Sequence, residues 1–109
     1  MHRILLLLLA VPLLPACSVG DCPDGSTVDW AEVSVLFDEH CISCHSTSLT
    51  GADRQNAPAG YDYDTYDVAI EHPTMSWTEV KLGHMPPSGA LSDADKETIR
   101  AWYACETPE

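Results

Sequence analysis

Positive charge is scarce in this sequence. Its 109 residues carry 5 Lys+Arg against 17 Asp+Glu, a formal net charge of −12 at pH 7. A surface of that sign repels phosphate, which argues against nucleic acid as a partner and suits a basic protein instead. The same acidity also keeps a chain soluble. Long hydrophobic runs are lacking too. The apolar stretch Ile4–Leu14 is shorter than the roughly 20 residues that a membrane-spanning helix needs. No segment sustains an alternation of apolar and polar residues, and no internal repeat is visible. What remains is a one-domain, all-α chain with long loops.

The front of the chain has its own logic. Arg3 supplies a short positive start, and Ile4–Leu14 has the length of the apolar region of an export signal. The following Leu14-Pro15-Ala16-Cys17 resembles the lipobox of bacterial lipoproteins. That resemblance implies cleavage after residue 16, acylation of Cys17 and stable attachment to a membrane surface. The alternative is an ordinary cleaved signal with a chance cysteine. Ser18 stands where an inner-membrane retention signal would have Asp, which points to the outer membrane. Residues 18–28, SVGDCPDGSTV, are rich in turn formers and are expected to be a tether, so that residues 17–28 form a lipidated N-terminus. A mature chain this small buries only a modest core and often needs a staple or a cofactor.

Helical spacing then begins. Val33, Leu36, Phe37, His40 and Cys41 recur on one face of DWAEVSVLFDEHC, with Thr27 or Asp29 as candidate N-cap. Residues 46–64 show no period and are expected to be a loop. TYDVAIEH predicts a short helix ended by Pro73, and TMSWTEVKLG another with Gly83 as its stop. HMPPSGA must be extended or turning, because adjacent prolines exclude a helix interior. Ser92 opens a last helix with acids in its first turn, on which Ile99, Trp102 and Tyr103 share a face. Long loops in so small a domain are usually functional or wrapped around something.

The chemistry concentrates in His40-Cys41-Ile42-Ser43-Cys44-His45. Structural zinc would need a second short-spaced Cys or His pair, and Cys22, Cys105, His40, His72 and His84 do not supply one. A thioredoxin-like dithiol would sit in a βαβ pattern, which is lacking. Cys41-x-x-Cys44-His45 has the spacing of covalent c-type haem attachment. On a helical turn, residues i, i+3 and i+4 face one way, so two thiols can bond the haem vinyl groups while the imidazole reaches the iron. Iron held by His on one side takes a second ligand on the other, and Met is the soft thioether that cytochromes c use. Met85 lies in Gly83-His84-Met85-Pro86-Pro87, where the prolines stiffen its approach. Its neighbour His84 is the rival ligand, but adjacent residues of an extended loop point opposite ways. His40 falls about 100° round the helix from Cys41 and is a bystander. His72 and Met75 are weaker ligand candidates. A lone Met otherwise fills core gaps.

CISCH, GHMPP and LSDADKETIRAWYA together resemble a small class I cytochrome c, the single-haem kind with an MPP loop found in exported bacterial proteins. The resemblance spans residues 29–105, the expected domain, leaving 106–109 as a tail. It implies a leading helix packed on the C-terminal helix, one covalent haem c set edge-out in a cleft, Cys41 and Cys44 as thioether sites, His45 as proximal ligand and Met85 as distal ligand. Cys105 replaces a frequent glycine of the family, and Lys81 and His84 stand where an Arg is frequent. Trp77 or Tyr63 is the expected haem-propionate donor. With Cys17 lipidated and Cys41 and Cys44 on haem, Cys22 and Cys105 remain. In an oxidising compartment a disulfide joining the two ends follows, the alternative being free thiols or partners elsewhere.

The expected function is one-electron transfer at the periplasmic or outer-membrane surface, docking on a redox partner with a basic patch. Two other classes stand beside it. A haem-based ligand-binding or peroxidase-like module would need an open sixth position. A haem-free lipoprotein binding module would use zinc or disulfides alone.

Overall fold

The computed structural model describes residues 18–109. Residues 1–17, with the expected export signal and Cys17, lie outside them. Four α-helices follow in order: α1 Trp30–His40, α2 Tyr66–Ala69, α3 Pro73–Lys81 and α4 Asp93–Ala104, with one 3₁₀ turn at Gly51–Arg54. No strand occurs among the described residues, so the chain has the expected all-α architecture.

Three of the four helix starts have a local cause. Asp29, not Thr27, caps α1: its Oδ1 accepts the Glu32 N–H at 3.0 Å. Ser92 caps α4 by accepting the Asp95 N–H at 3.1 Å, and Asp93 and Asp95 sit where the helix dipole favours anions. The helix expected to run up to Pro73 stops earlier, at Ala69, and Pro73 instead opens α3. A proline costs nothing at the first helical position, where its missing N–H would have no partner. Gly83, at φ +76°, lets the chain leave α3 in a conformation that a side chain would strain.

α4 packs against both α1 and α3. Val33 and Phe37 of α1 meet Ile99 and Trp102 of α4, and these four are the largest fully buried side chains. Phe37 and Trp102 stand edge-to-face at 5.8 Å, with Trp30 5.6 Å from Trp102. Each such burial stabilises by roughly 1.5–3 kcal/mol, with about 0.5–1.5 more for a well-oriented ring pair. Ala69, Trp77, Val80 and Leu91 join the core from elsewhere in the chain, and Ala101 and Tyr103 from α4.

Both chain ends are fastened to this core. The segment expected as a free tether is held down over residues 19–22. Arg100 of α4 donates through Nη1 to the carbonyls of Val19 (2.8 Å) and Asp21 (3.1 Å). Cys22 and Cys105 form a disulfide, with Cα atoms 4.7 Å apart. The tail is tied as well: the Trp102 indole donates to the Pro108 carbonyl at 2.9 Å and the Tyr66 hydroxyl to that of Thr107 at 2.8 Å. Composition had marked residues 18–28 as a tether, and 106–109 were expected only as a tail beyond the domain. Arg100 and the disulfide hold the front, while the Trp102 indole and the Tyr66 hydroxyl, which must find acceptors, recruit the tail.

Candidate functional site

α1 runs directly into the Cys-His motif. The Cys41 N–H donates to the Phe37 carbonyl (2.8 Å), and the Cys44 and His45 N–H groups donate back to the Cys41 carbonyl (3.2 and 2.9 Å). The motif is therefore one more turn on the end of α1, and Cys41, Cys44 and His45 sit on it together. Both thiols are free and half-buried. Cys41 packs against the core. Burial, with Cys44 adding to it, pushes the Cys41 thiol up to about 12. A redox dithiol needs a thiolate near neutral pH, so this environment disfavours that chemistry.

His45 is held by its far nitrogen. Its Nδ1 lies 2.5 Å from the main-chain carbonyl of Tyr61. A carbonyl can only accept, so Nδ1 donates, which makes Nε2 the ring nitrogen that could ligate a metal. The Tyr63 ring stands edge-on to the imidazole at 5.5 Å, and the Tyr63 N–H donates to the His45 carbonyl at 3.0 Å.

The loop that presents Tyr61 is ordered by charges that periodicity could not single out. Arg54 is buried and pairs with buried Asp62 at 2.6 Å. Asp64 accepts from the Thr47 hydroxyl (2.6 Å), the Thr47 N–H and the Ser46 hydroxyl. The available signal was an isolated arginine in a chain with 5 Lys+Arg, followed by acids.

On the other side stands α3. Tyr61 and His72 stack at 4.2 Å. With Pro73, Thr74, Met75 and Thr78 they line a hollow of ≈ 410 Å³. Met75, Thr78 and Leu82 recur at helical spacing on one face, and Met75 (50 %), Leu82 (59 %) and Met85 (37 %) are the exposed large apolar side chains of this region. Beyond Gly83, the His84 and Met85 N–H groups both donate to the Glu79 carbonyl (3.0 and 3.2 Å). The His84 ring turns outward to the Glu79 carboxylate at 3.2 Å. His40, at the last turn of α1, sits beside Glu39. The Tyr63 hydroxyl, an expected propionate donor, is committed to Ser76 at 2.7 Å, and Trp77 is buried in the core.

A family model for cytochrome c matches residues 30–102, from the first residue of α1 to Trp102. The chain belongs to the cytochrome c family. Comparison with curated proteins and with solved structures finds no match. As a cytochrome c, the protein binds haem c covalently and transfers electrons.

The donor set of this cytochrome fits that group. Two free thiols and an imidazole held at Nδ1 share one turn, and Met75, Leu82 and Met85 offer uncovered apolar surface to flank a flat hydrophobic cofactor. Among the described residues, no three His, Cys, Asp or Glu side chains converge as a metal-ion site would require. Nor is any helix of the described residues long and apolar enough to cross a membrane.

Proposed function

We propose that this cytochrome c is a class I, single-haem electron carrier, anchored by lipid at Cys17 and working at the periplasmic or outer-membrane surface. Cys41 and Cys44 are the thioether sites, His45 is the proximal ligand and Met85 the distal one. Bound haem supplies one-electron cycling between ferric and ferrous iron. The observation that carries the reading is the His45–Tyr61 hydrogen bond, because it turns the one histidine of the thiol-bearing turn into a ready iron ligand.

The chain's own residues do the rest. α1 and α4, locked through Phe37 and Trp102, hold the motif turn rigid. The Tyr61 carbonyl fixes the imidazole, and Gly83 releases the chain to bring up Met85 while Glu79 keeps His84 turned away. The protein is a carrier rather than an enzyme, free or as a subunit of a redox complex. Its acidic surface docks on a basic patch of a protein partner, so rates of electron transfer fall as salt rises.

Reduced-minus-oxidised visible spectra, recorded with and without carbon monoxide, test the assignment. Sharp haem bands that ignore carbon monoxide are expected. Rapid carbon monoxide binding would replace the carrier by a ligand-binding module, and the lack of any haem band after expression with haem-maturation machinery would remove both. For the anchor, Cys17→Ser is expected to release the protein from the membrane fraction.

A further inference from the structure

Arg54 is buried, and its five N–H bonds have five acceptors. Nε donates to the Ala57 carbonyl (3.1 Å). Nη1 donates to the carbonyls of Ser46 (2.8 Å) and Leu49 (3.4 Å). Nη2 donates to the Pro58 carbonyl (3.0 Å) and to Asp62 Oδ1 (2.6 Å). A lysine in its place would have three donors and no fork.

Two of these contacts have particular positions. Ser46 is the residue after His45, and Asp62 is the residue after Tyr61. The guanidinium therefore spans the neighbours of both partners in the hydrogen bond that orients the imidazole. Pro58 strengthens the link, since its carbonyl also accepts the Tyr61 N–H, at 3.4 Å. The side-chain relative exposures of Arg54 and Asp62 are 10 % and 8 %, so solvent does little to screen the pair.

We infer that Arg54, locked by Asp62, is a positioning residue for the iron: it sets the hydrogen bond from His45 Nδ1 to the Tyr61 carbonyl and thereby the reduction potential. This rests on His45 being the proximal ligand. The physical link is the basicity of the imidazole. A well-placed acceptor at Nδ1 makes Nε2 a stronger donor, which favours ferric iron; a looser acceptor favours ferrous iron and raises the potential.

The test compares the holoprotein with Arg54→Lys and Asp62→Asn. Three readouts are needed: the midpoint potential, exchange of the His45 Nδ1 proton by NMR in the reduced state, and the urea midpoint. Both variants are expected to raise the potential and to speed exchange of that proton by about tenfold, the loss of one modest hydrogen bond. Arg100→Lys serves as the control. It disturbs the clamp on Val19 and Asp21, which lies apart from the motif loop, and is expected to lower the urea midpoint with the potential unmoved. An Asp62→Asn protein that folds with unchanged potential and unchanged proton exchange overturns the inference, whatever Arg54→Lys does. If His45→Ala leaves the haem spectrum of the parent protein intact, the ligand assignment itself is wrong and the inference goes with it.

Discussion

His84 and Met85 are adjacent in sequence and their N–H groups share the Glu79 carbonyl, but only the His84 side chain is engaged by the Glu79 carboxylate. The His84 ring sits 3.2 Å from the Glu79 carboxylate and is 62 % exposed, which supports the proposal that Met85, rather than His84, is the distal ligand. Met85→Ala is therefore expected to open the sixth position: the protein should bind carbon monoxide and its potential should fall, because the thioether favours ferrous iron. His84→Ala should change neither. A spectrum that responds to His84→Ala and not to Met85→Ala would reverse the assignment.

The Cys22–Cys105 bridge closes a loop spanning a sequence separation of 83. A crosslink of that span limits the unfolded chain strongly, so the Cys22→Ser, Cys105→Ser double variant should lose about 2–4 kcal/mol. Urea denaturation of the holoprotein measures this. The absorption spectrum should stay as it was, since neither cysteine belongs to the motif turn.

Asp64 predicts a signed pH dependence. Desolvation, the largest single influence, raises its pKa, but hydrogen bonds from Thr47, from its own main chain and from Ser46 together outweigh it and hold the carboxyl below its ordinary value. A folded pKa below the unfolded one stabilises the fold at pH above the unfolded value, and this contribution is lost as pH falls through the folded value. The melting-temperature gap between the parent and Asp64→Asn should thus be present near neutral pH and close on acidification. A gap independent of pH would remove the carboxylate from the account.

Trp102 is fully buried, with its ring centre 4.9 Å from Tyr103, 5.6 Å from Trp30 and 5.8 Å from Phe37. Trp102→Ala should cost about 3–5 kcal/mol, read as a lowered urea midpoint. It also removes the donor that holds the Pro108 carbonyl, so the C-terminal residues should gain proteolytic sensitivity.

Local sequence signals account for the two main helices and the chemistry of the motif. Amphipathic spacing placed Phe37 and Trp102 in the core, the Ser92 cap opened α4, and Cys41-x-x-Cys44-His45 named its cofactor, because these signals are local: each depends on residues within a turn or two of helix. How the ends and the long loop are held follows from contacts that only the folded chain makes. Residues 18–28 read as a tether and 106–109 as a tail, yet Arg100 and Tyr66 fasten parts of both through contacts between residues 41 or more apart in sequence, and Trp102 adds a nearer bond to Pro108. The segment 46–64 has no period because its order comes from two charge centres. Arg54 and Asp64 draw carbonyls, amides and hydroxyls onto themselves, and such bonds follow proximity in space rather than any repeat along the chain. That is also why the acceptor for His45, a main-chain carbonyl, has no mark in the sequence: every residue carries one, and only the fold selects Tyr61.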